Sequence, residues 1–181
     1  MNIEDKLSGK YIYLRSVAIE DAEFICDIRG NAELCKYVHA VAPDVEKQRK
    51  WIAEQIDRAG DYYFVMCTHD GTRIGLASIY GIDAEERCAE FGRWVSVGNA
   101  IQNVESVILS FDFAFENLGL DYVYMRTMMD NVKVRNFWNS FGAESLGEVH
   151  EMGLRLDKEI VTSKAYYGKL RDRGRRLLRI E

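Results

Sequence analysis

The sequence predicts a single mixed α/β domain, built on a central, mostly antiparallel sheet with helices on both faces. The chain has 181 residues, of which 48% are hydrophobic and 29% charged, and this is the size and composition of one globular domain with its own core. Apolar runs of strand length alternate along the chain with stripes of helical spacing. The one proline leaves no proline-rich linker, and no repeat or low-complexity segment marks a second domain.

The first third of the chain is predicted to form a strand and three helices. The segment KYIYLRSV, residues 10–17, alternates two sets of side chains as a strand does. Helices are expected at about 19–29, at about 32–38 and at 43–60. The third helix has an apolar stripe and ends at Gly60, which suits the end of a helix because glycine tolerates a left-handed backbone.

The middle of the chain predicts a meander of three antiparallel strands. The runs YYFVMCT and RIGLASIY are joined by His69-Asp70-Gly71, which contains a strong hairpin signal. Both runs are apolar on both faces, which is typical of central strands covered by helices. A third strand, EFGRWVSV at 90–97, follows the acidic turn AEER.

One β-α-β crossover follows this meander. The helix that ends before Gly119 repeats apolar side chains at i, i+3, i+4 and i+7, and DYVYMRTM at 121–128 is the strand after it. A strand that feeds a helix start in this way is suited to binding phosphate. Because a crossover joins parallel strands, we expect an open cleft where the strand of Glu90 parts from the strand of Tyr124.

The last part of the chain predicts a helix, two strands and a basic tail. The helix begins at Asn131 and ends at Gly142, and the strands are expected at about 143–156 and 159–168. From residue 169 onward the chain has six basic and two acidic residues, so this tail has a net charge of +4 and the rest of the chain has a net charge of −9. The tail either contacts an acidic partner or phosphates, or is a solvated terminal helix or frayed end, which we favour.

Composition limits the partners and the compartment. The net charge of −5 argues against a general nucleic-acid binder. The four cysteines are scattered singly and predict neither a structural metal site nor a disulfide framework. Because there is no signal peptide and no apolar run of membrane-spanning length, we expect a cytoplasmic protein without a membrane span; a homodimer is left open.

Several motifs carry a resemblance to a known family. In order, EFGRWV, FAFENLGL, DYVYMRTM and NVKVRNFWNSFG resemble the GNAT superfamily of acetyl-CoA-dependent N-acetyltransferases, over about residues 9–170. Within it, IRGNAELCKYV, KQRKWI and YYFVMCTHDGTRIGLASIYGID resemble enzymes that acetylate nucleotide-linked amino sugars, as in pseudaminic acid synthesis. The resemblance implies the GNAT fold, acetyl-CoA as co-substrate, no metal, and direct attack of a primary amine on the thioester.

The resemblance also implies a cofactor site, but one that departs from the family's pattern. GNAT enzymes bind pyrophosphate with a Q/R-x-x-G-x-G/A loop, whose positions here hold Ser96, Asn99 and Ile101. Asn99 and Gln102 have the spacing of a capping box. The alternative is therefore that this segment is a capped helix start without a phosphate site. The resemblance implies that a backbone amide near Val95 or Val97 binds the oxyanion and that Asn131 binds the pantetheine arm. Lys133 and Arg135 either reach the phosphates of CoA or are solvated charges. The expected cofactor-binding residues are Val95, Val97, Gly98, Asn99, Ala100, Asn131, Lys133 and Arg135.

The acids that the family commonly uses to protonate the thiolate are missing. Trp138 stands at the position of the usual tyrosine and Val134 at that of a serine, and an indole is not a suitable proton donor. Water or Tyr124 on the neighbouring strand must then supply the proton, or the thiolate leaves unaided.

Two residues are candidates for the general base. Glu90 occupies a family position where a carboxylate takes the amine proton directly or through water, although it could instead be paired with Arg87 or Arg93. His39 has a usable intrinsic pKa, but is alternatively an exposed loop residue.

The acceptor is expected to be a primary amine, preferably on an amino sugar carried by a nucleotide. Arg29 and Asn31 match acceptor-side positions of that branch, or else form a helix C-cap salt bridge. The first alternative keeps the fold and changes the acceptor to a protein or peptide α-amine or a polyamine. The second is a catalytically inactive module that binds CoA or a sugar.

Overall fold

The computed structural model describes residues 1–38 and 44–179 and has the predicted mixed architecture. Its strands are β1 (Leu7–Ser8), β2 (Ile12–Ser16), β3 (Tyr62–Thr68), β4 (Arg73–Asp83), β5 (Cys88–Ser96), β6 (Tyr122–Met128), β7 (Glu144–Glu151) and β8 (Leu154–Thr162). They form one sheet in the order β1-β2-β3-β4-β5-β6-β8-β7. Among the paired strands described, β5 and β6 run parallel and the other pairs are antiparallel.

Helices cover both faces of this sheet, as predicted. The α-helices are α1 (Ala22–Gly30), α2 (Val45–Ile56), α3 (Ala100–Asp112), α4 (Val132–Phe141), α5 (Ser163–Ala165) and α6 (Arg171–Leu177). A 3₁₀ turn precedes α1, a π-helical turn at Phe113–Asn117 extends α3, and another at Tyr166–Leu170 joins α5 to α6. Side chains of α1 and α2 pack on one face, and those of α3, α4 and the C-terminal segment pack on the other.

The alternation of side chains along β3 shows why both faces are buried. Tyr63, Val65 and Cys67 join the core under α1 and α2, whereas Phe64 and Met66 join the core under α3 and α4. Successive side chains of a strand point to opposite faces. A strand that is apolar at every position therefore needs helices on both sides, as the sequence indicated.

Two predicted elements differ from the structure. Residues 32–37 form turns instead of a helix. The Asn31 side chain accepts hydrogen bonds from the amides of Glu33 and Leu34, and its carbonyl accepts from the amide of Cys35, so Asn31 caps a single turn that does not continue as a helix. The final hairpin turns at Met152-Gly153, where both residues have positive φ, so its strands are earlier than predicted and residues from Ser163 onward are helical.

The basic tail is packed against the body. Leu178 is buried, and Arg171 forms ion pairs with Asp112 and Glu116 at the end of α3. At Gly174 an added Cβ would lie 2.6 Å from Cδ1 of Ile108, so only glycine allows this approach of α6 to α3. The tail is therefore a terminal helix with one packed face and with Arg173 and Arg176 exposed, and the acidic groups that Arg171 meets belong to the same chain.

The fold contains none of the features that would indicate other site types in the part of the chain that is described. No described helix combines the length and the apolar character needed to cross a membrane. The four cysteines are free and buried. Within 1–38 and 44–179, no group of three or more His, Cys, Asp or Glu side chains could hold a metal ion.

Candidate active site

A cleft opens where β5 separates from β6. The two strands pair only from Cys88 to Glu90 against Tyr122 to Tyr124. Beyond Glu90, a bulge interrupts the pairing of β5 with β4, and its extra residue Arg93 has a left-handed φ of 49°. A bulge bends its strand and increases the local twist, which carries β5 away from β6. The cleft lies where the sequence predicted it.

The cleft is the floor of a cavity of about 710 Å³, a volume typical of sites for small molecules and cofactors. β5 and β6 contribute one part of its wall, and α4 and the residue before it contribute Asn131, Val134 and Trp138. The opposite wall comes from α1, α2 and β3, with Arg29, Trp51 and Tyr63 among its residues. The cavity therefore has a side that faces α4 and a side that faces α1 and α2.

Glu90 lies at the point where the strands part. It is 6% exposed, lines the cavity, and stands opposite Tyr80 on β4 and Tyr124 on β6. Its Oε2 accepts a hydrogen bond from Nη2 of Arg126 at 2.5 Å, and the same guanidinium pairs with Glu151 on β7. These carboxylates raise the pKa of Arg126, so Glu90 is held beside a permanent positive charge.

The ion pairs considered for Glu90 from the sequence are not the ones formed. Arg87 pairs with Asp121, and Arg93 pairs with Asp61 at 2.6 Å. Arg126 was not expected, although it follows Tyr124 by two positions on β6. Since side chains two apart share a face of a strand, the alternation was the signal that could have found it.

Two tyrosines flank Glu90. Burial and the neighbouring Glu90 carboxylate raise the pKa of Tyr80 and also that of Tyr124, so both phenols stay protonated near neutral pH. Tyr80 lines the cavity. The hydroxyl of Tyr124 lies near Gly81 and the Lys158 ammonium sits 4.9 Å from its ring centroid, beside the cavity. The candidate acid Tyr124 is thus brought next to Glu90 but not into the cavity wall.

The backbone of β5 beyond the bulge offers free amides to the cleft. The N–H of Val97 donates to the carbonyl of Ile74 at 2.9 Å, so it is committed to β4. The N–H of Val95, opposite Leu76, also points toward β4, because the amides of alternate residues point to the same side of a strand. This corrects the expected oxyanion donor at Val95 or Val97: the amides that face the cleft belong to Trp94 and Ser96.

The start of α3 is a capping box, as its sequence indicated. Asn99 Oδ1 accepts from the amide of Gln102 at 3.0 Å, and Gln102 Oε1 accepts from the amide of Asn99 at 2.9 Å. The amide of Gly98 donates to the hydroxyl of Ser96 at 2.8 Å. The first helical amides, those of Ala100 and Ile101, have no partner within the helix. These two amides are the donors that remain for an anion.

At the start of α4, one predicted residue is well placed and another is not. Asn131 lines the cavity and caps the helix, its Oδ1 accepting from the amide of Val134 at 3.3 Å. Lys133 is exposed in the first turn. Arg135 pairs with Asp157 and donates to the carbonyl of Met129 at 3.3 Å, so its guanidinium is tied to the sheet side of α4 and is not a solvated charge.

Trp138 is a packing residue that also forms cavity wall. It is 2% exposed, and its ring lies parallel to that of Phe111 with centroids 6.2 Å apart. Phe91 and Phe141 meet its edges or faces at right angles. At the position of the family's usual tyrosine, the side chain is therefore part of the aromatic core.

Of the two residues predicted on the acceptor side, Arg29 lines the cavity and Asn31 does not. Arg29 is 7% exposed and lines the cavity beside Tyr63. Asn31 is the C-cap of α1 and organises the turn after it. His39, the second candidate base, lies outside the described residues.

These features coincide with a match to a known family. Residues 12–144 match the acetyltransferase (GNAT) domain. The chain belongs to the GNAT acetyltransferases. It is accordingly an acetyl-CoA-dependent N-acetyltransferase.

Solved GNAT structures resemble the whole chain. Apo FdhC, a nucleotide-linked sugar GNAT, has a TM-score of 0.84 and 26% identity, covering 96% of this chain and 98% of that one. A spermidine N-acetyltransferase from Vibrio cholerae in complex with CoA and spermine has a TM-score of 0.79 and 18% identity, with 88% and 99% covered. A GCN5-related N-acetyltransferase from Brucella melitensis has a TM-score of 0.81 and 15% identity, with 97% and 86% covered. No curated protein sequence matches the chain.

The residues of this GNAT enzyme fit acetyl-CoA as a substrate. By strand alternation the amides of Trp94 and Ser96 point away from β4. Trp94 lines the cavity, and Asn131, the N-cap of α4, lines the same cavity. The amides of Ala100 and Ile101 lie at the helix start, where the partial positive charge favours phosphate. The glycines of the usual phosphate loop are absent. The capping box uses the amides of Asn99 and Gln102, so these two amides are not open to a phosphate.

One group in the cavity has no counterpart in the sequence prediction. The guanidinium of Arg93 lies 4.3 Å from the ring of Tyr80, 5.4 Å from that of Trp51 and 5.5 Å from that of Tyr63. Asp61, the residue before β3, forms an ion pair with the same guanidinium. Only the bulge at Arg93 turns the side chain in this direction, and a bulge position cannot be read from the sequence pattern alone.

Proposed function

We propose that this GNAT enzyme acetylates the primary amine of an amino sugar carried on a nucleotide. The observation that carries the proposal is the composition of the cavity wall on the side of α1 and α2. Aromatic rings and cations line it, including Trp51, Tyr63, Arg29 and Lys47. Aromatic faces suit a nucleobase, and arginine suits the phosphates of a nucleoside diphosphate.

The carboxylates of the cavity support an anionic acceptor over a polyamine. A polyamine carries several positive charges and needs carboxylates that are free to pair with them. Glu90 and Glu151 already share Arg126, and Asp61 behind the wall is held by Arg93. Asp44, the remaining acidic lining residue described, caps α2 through the amide of Lys47. The 26% identity with the nucleotide-linked sugar GNAT adds support from the same direction.

In the proposed reaction, Glu90 accepts the proton that the acceptor amine must lose before or during attack, directly or through a water. The hydrogen bond from Arg126 holds this carboxylate in position. The amides of Trp94 and Ser96 donate to the oxyanion as it forms at the thioester carbon. Attack is direct, because none of the four cysteines lines the cavity and burial raises the pKa of Cys26, Cys35 and Cys67.

Thiol release from acetyl-CoA with a panel of amines tests this proposal. The panel contains UDP- and dTDP-linked amino sugars, the same sugars without the nucleotide, spermidine, and a peptide with a free α-amine. We expect kcat/KM for a nucleotide-linked sugar to exceed that for every other amine by at least about 10-fold, because both the base and the diphosphate would be bound.

Two outcomes would contradict the proposal in different ways. Equal or better turnover of spermidine or the peptide would move the acceptor to another class within the same activity. Absence of acetyl-CoA binding in calorimetry, with no turnover of any amine, would overturn the enzymatic role itself.

A further inference from the structure

A buried carboxyl group lies directly behind the cavity wall. Glu159, on β8, is 3% exposed. Its Oε2 accepts a hydrogen bond from the hydroxyl of Thr127 at 2.9 Å, and its Oε1 has no hydrogen-bond partner among the described residues. Thr127, on β6, lines the cavity together with Asn131, Val134 and Trp138.

The charges around Glu159 do not neutralise it. Asp157, two positions along β8, adds negative charge, whereas Arg135 from α4 pairs with Asp157. On β7, Ser145 stands opposite Glu159 but donates its hydroxyl to Asp157 at 2.6 Å. Burial, reinforced by Asp157, raises the pKa of Glu159 to about 7. Near neutral pH a large fraction of this carboxyl is therefore protonated.

The acetyl-transfer reaction lacks a proton donor on the cavity wall that faces α4. Trp138 and Val134 fill the positions where relatives have acids, and Tyr124 lies beside the cavity. The thiolate of CoA leaves with an electron pair on sulfur, and a proton delivered to that sulfur as the C–S bond breaks favours collapse of the intermediate toward products. Thr127 has a hydroxyl on that wall.

We propose that Glu159 and Thr127 form a proton relay to the departing CoA thiolate. When the tetrahedral intermediate collapses, the C–S bond breaks and its electron pair goes to sulfur. The hydroxyl proton of Thr127 passes to the sulfur, and the carboxyl proton of Glu159 passes to Oγ1 of Thr127. Glu159 is left ionised and regains a proton from solvent before the next turnover, so the proton count closes.

In this relay Thr127 is the catalytic residue, because it touches the reacting sulfur, and Glu159 acts through it. The proposal rests on acetyl transfer and does not depend on which amine accepts the acetyl group. It is therefore to be measured with the amine that the wild type uses fastest, or with water as acceptor in acetyl-CoA hydrolysis if no amine reacts. Hydrolysis also breaks the C–S bond and also releases the thiolate.

The test compares Thr127→Val, which keeps the shape and removes the hydroxyl, with Glu159→Gln, which keeps the shape and removes the acid. We expect each to lower kcat by at least about 10-fold, with KM for acetyl-CoA and its calorimetric Kd within about 2-fold of wild type. In the wild type, kcat should fall as pH rises through about 7, since the ionised carboxylate cannot donate. Glu159→Gln should lose this alkaline decline.

Two further variants separate proton transfer from packing. Thr127→Ser keeps the hydroxyl and should keep most of kcat. Ser145→Ala removes a hydroxyl from the same cluster that does not reach Glu159, and its pH profile should match that of the wild type. Wild-type kcat and alkaline decline in Thr127→Val or Glu159→Gln would overturn the relay. So would loss of activity in Thr127→Ser equal to that in Thr127→Val, because the hydroxyl would then be irrelevant.

Discussion

Arg126 connects the buried end of the cleft to the edge of the sheet, since it pairs with Glu90 on β5 and with Glu151 on β7. The two partners differ in burial. The Glu90 side chain is 8% exposed and that of Glu151 is 41% exposed. Removing a buried carboxylate's cation leaves an uncompensated charge in a poor solvent, whereas an exposed pair contributes little.

We therefore predict unequal effects of breaking the two pairs. Arg126→Met should destabilise the fold by about 3 kcal/mol, because Glu90 stays buried without its cation. Glu151→Gln should cost less than about 1 kcal/mol. Chemical denaturation measures both. Equal and small losses would show that Glu90 reaches solvent when Arg126 is absent.

Glu159 gives a pH-dependent prediction. Its pKa is raised on folding from the ordinary 4.5 to about 7, so the folded state binds the proton more tightly than the unfolded state. The stability that this proton provides is present below about 4.5 and is lost as pH rises through about 7. Glu159→Gln should therefore be more stable than the wild type by about 3 kcal/mol near pH 8 and by less than about 1 kcal/mol near pH 5. Thermal melts at both pH values check this, and a pH-independent difference would contradict it.

At this scale, the sequence placed some site residues and not others. Glu90 and Asn131 could be predicted because each follows from its position in a matched motif, and both line the cavity. Arg126 could have been found from the strand alternation that places it on the face of Tyr124. The contacts of Arg93 and Glu159 could not, because they depend on which strands become neighbours and on a bulge. Asn31 stays a prediction: it caps the turn after α1, and an asparagine at a helix end looks the same in the sequence whether it binds a ligand or caps a turn.

Among the elements, the join between α4 and the C-terminal segment depends on one glycine. Gly142 has φ 106° as the C-cap of α4, and an added Cβ would lie 2.5 Å from Cδ2 of Leu170. Both the backbone conformation and the close approach exclude a side chain there. Since α4 carries Asn131 and Trp138, this contact also fixes one wall of the cavity.

A glycine series separates the two effects. Gly142→Ala should cost about 3 kcal/mol, combining left-handed strain with the Leu170 clash. Gly147→Ala has a similar φ of 95° and nothing within 4 Å, so it should cost only about 1 kcal/mol. Gly168→Ala, with neither feature, should be neutral or slightly stabilising. Equal losses at Gly142 and Gly147 would show that Leu170 moves aside freely.

Long periodic elements were predicted well and short ones poorly. The central strands and α3 have apolar patterns that only one structure satisfies, so β3, β4 and α3 lie where they were expected. The final hairpin was misplaced because β7 is exposed along most of its length and carries no strong period. Its true marker was Gly153, which has a left-handed φ of 78° at the turn.

Over the whole molecule, the only parallel pairing in the described sheet determines where the site is. Antiparallel pairs hold the two ends of the sheet together, and the parallel pair β5–β6 lasts for three residues before the strands part. Helices from both faces then meet at this one opening, where α1 and α2 line one side and α4 the other. This topology could be predicted from the order of elements, because a crossover of this kind requires parallel strands.

The charge distribution is also a property of the whole chain. The tail carries +4 against −9 elsewhere, and part of this contrast is used internally, since Arg171 meets Asp112 and Glu116. Composition alone suggested either an acidic or phosphate-bearing partner, or a solvated terminal helix or frayed end. The packing of Leu178 and Gly174 could not be seen in the charge pattern, because two apolar contacts decide it.

The central claim is that the cleft between β5 and β6 is the site of acetyl transfer, with Glu90 as the group that takes the amine proton. The most direct test is Glu90→Gln, measured for both acetyl-CoA binding and turnover, with Glu151→Gln as the control for the other partner of Arg126. We predict that Glu90→Gln binds acetyl-CoA within about 2-fold of wild type while kcat falls by about 100-fold, and that the control keeps most of its kcat. A kcat of Glu90→Gln within a few-fold of wild type would contradict the assignment.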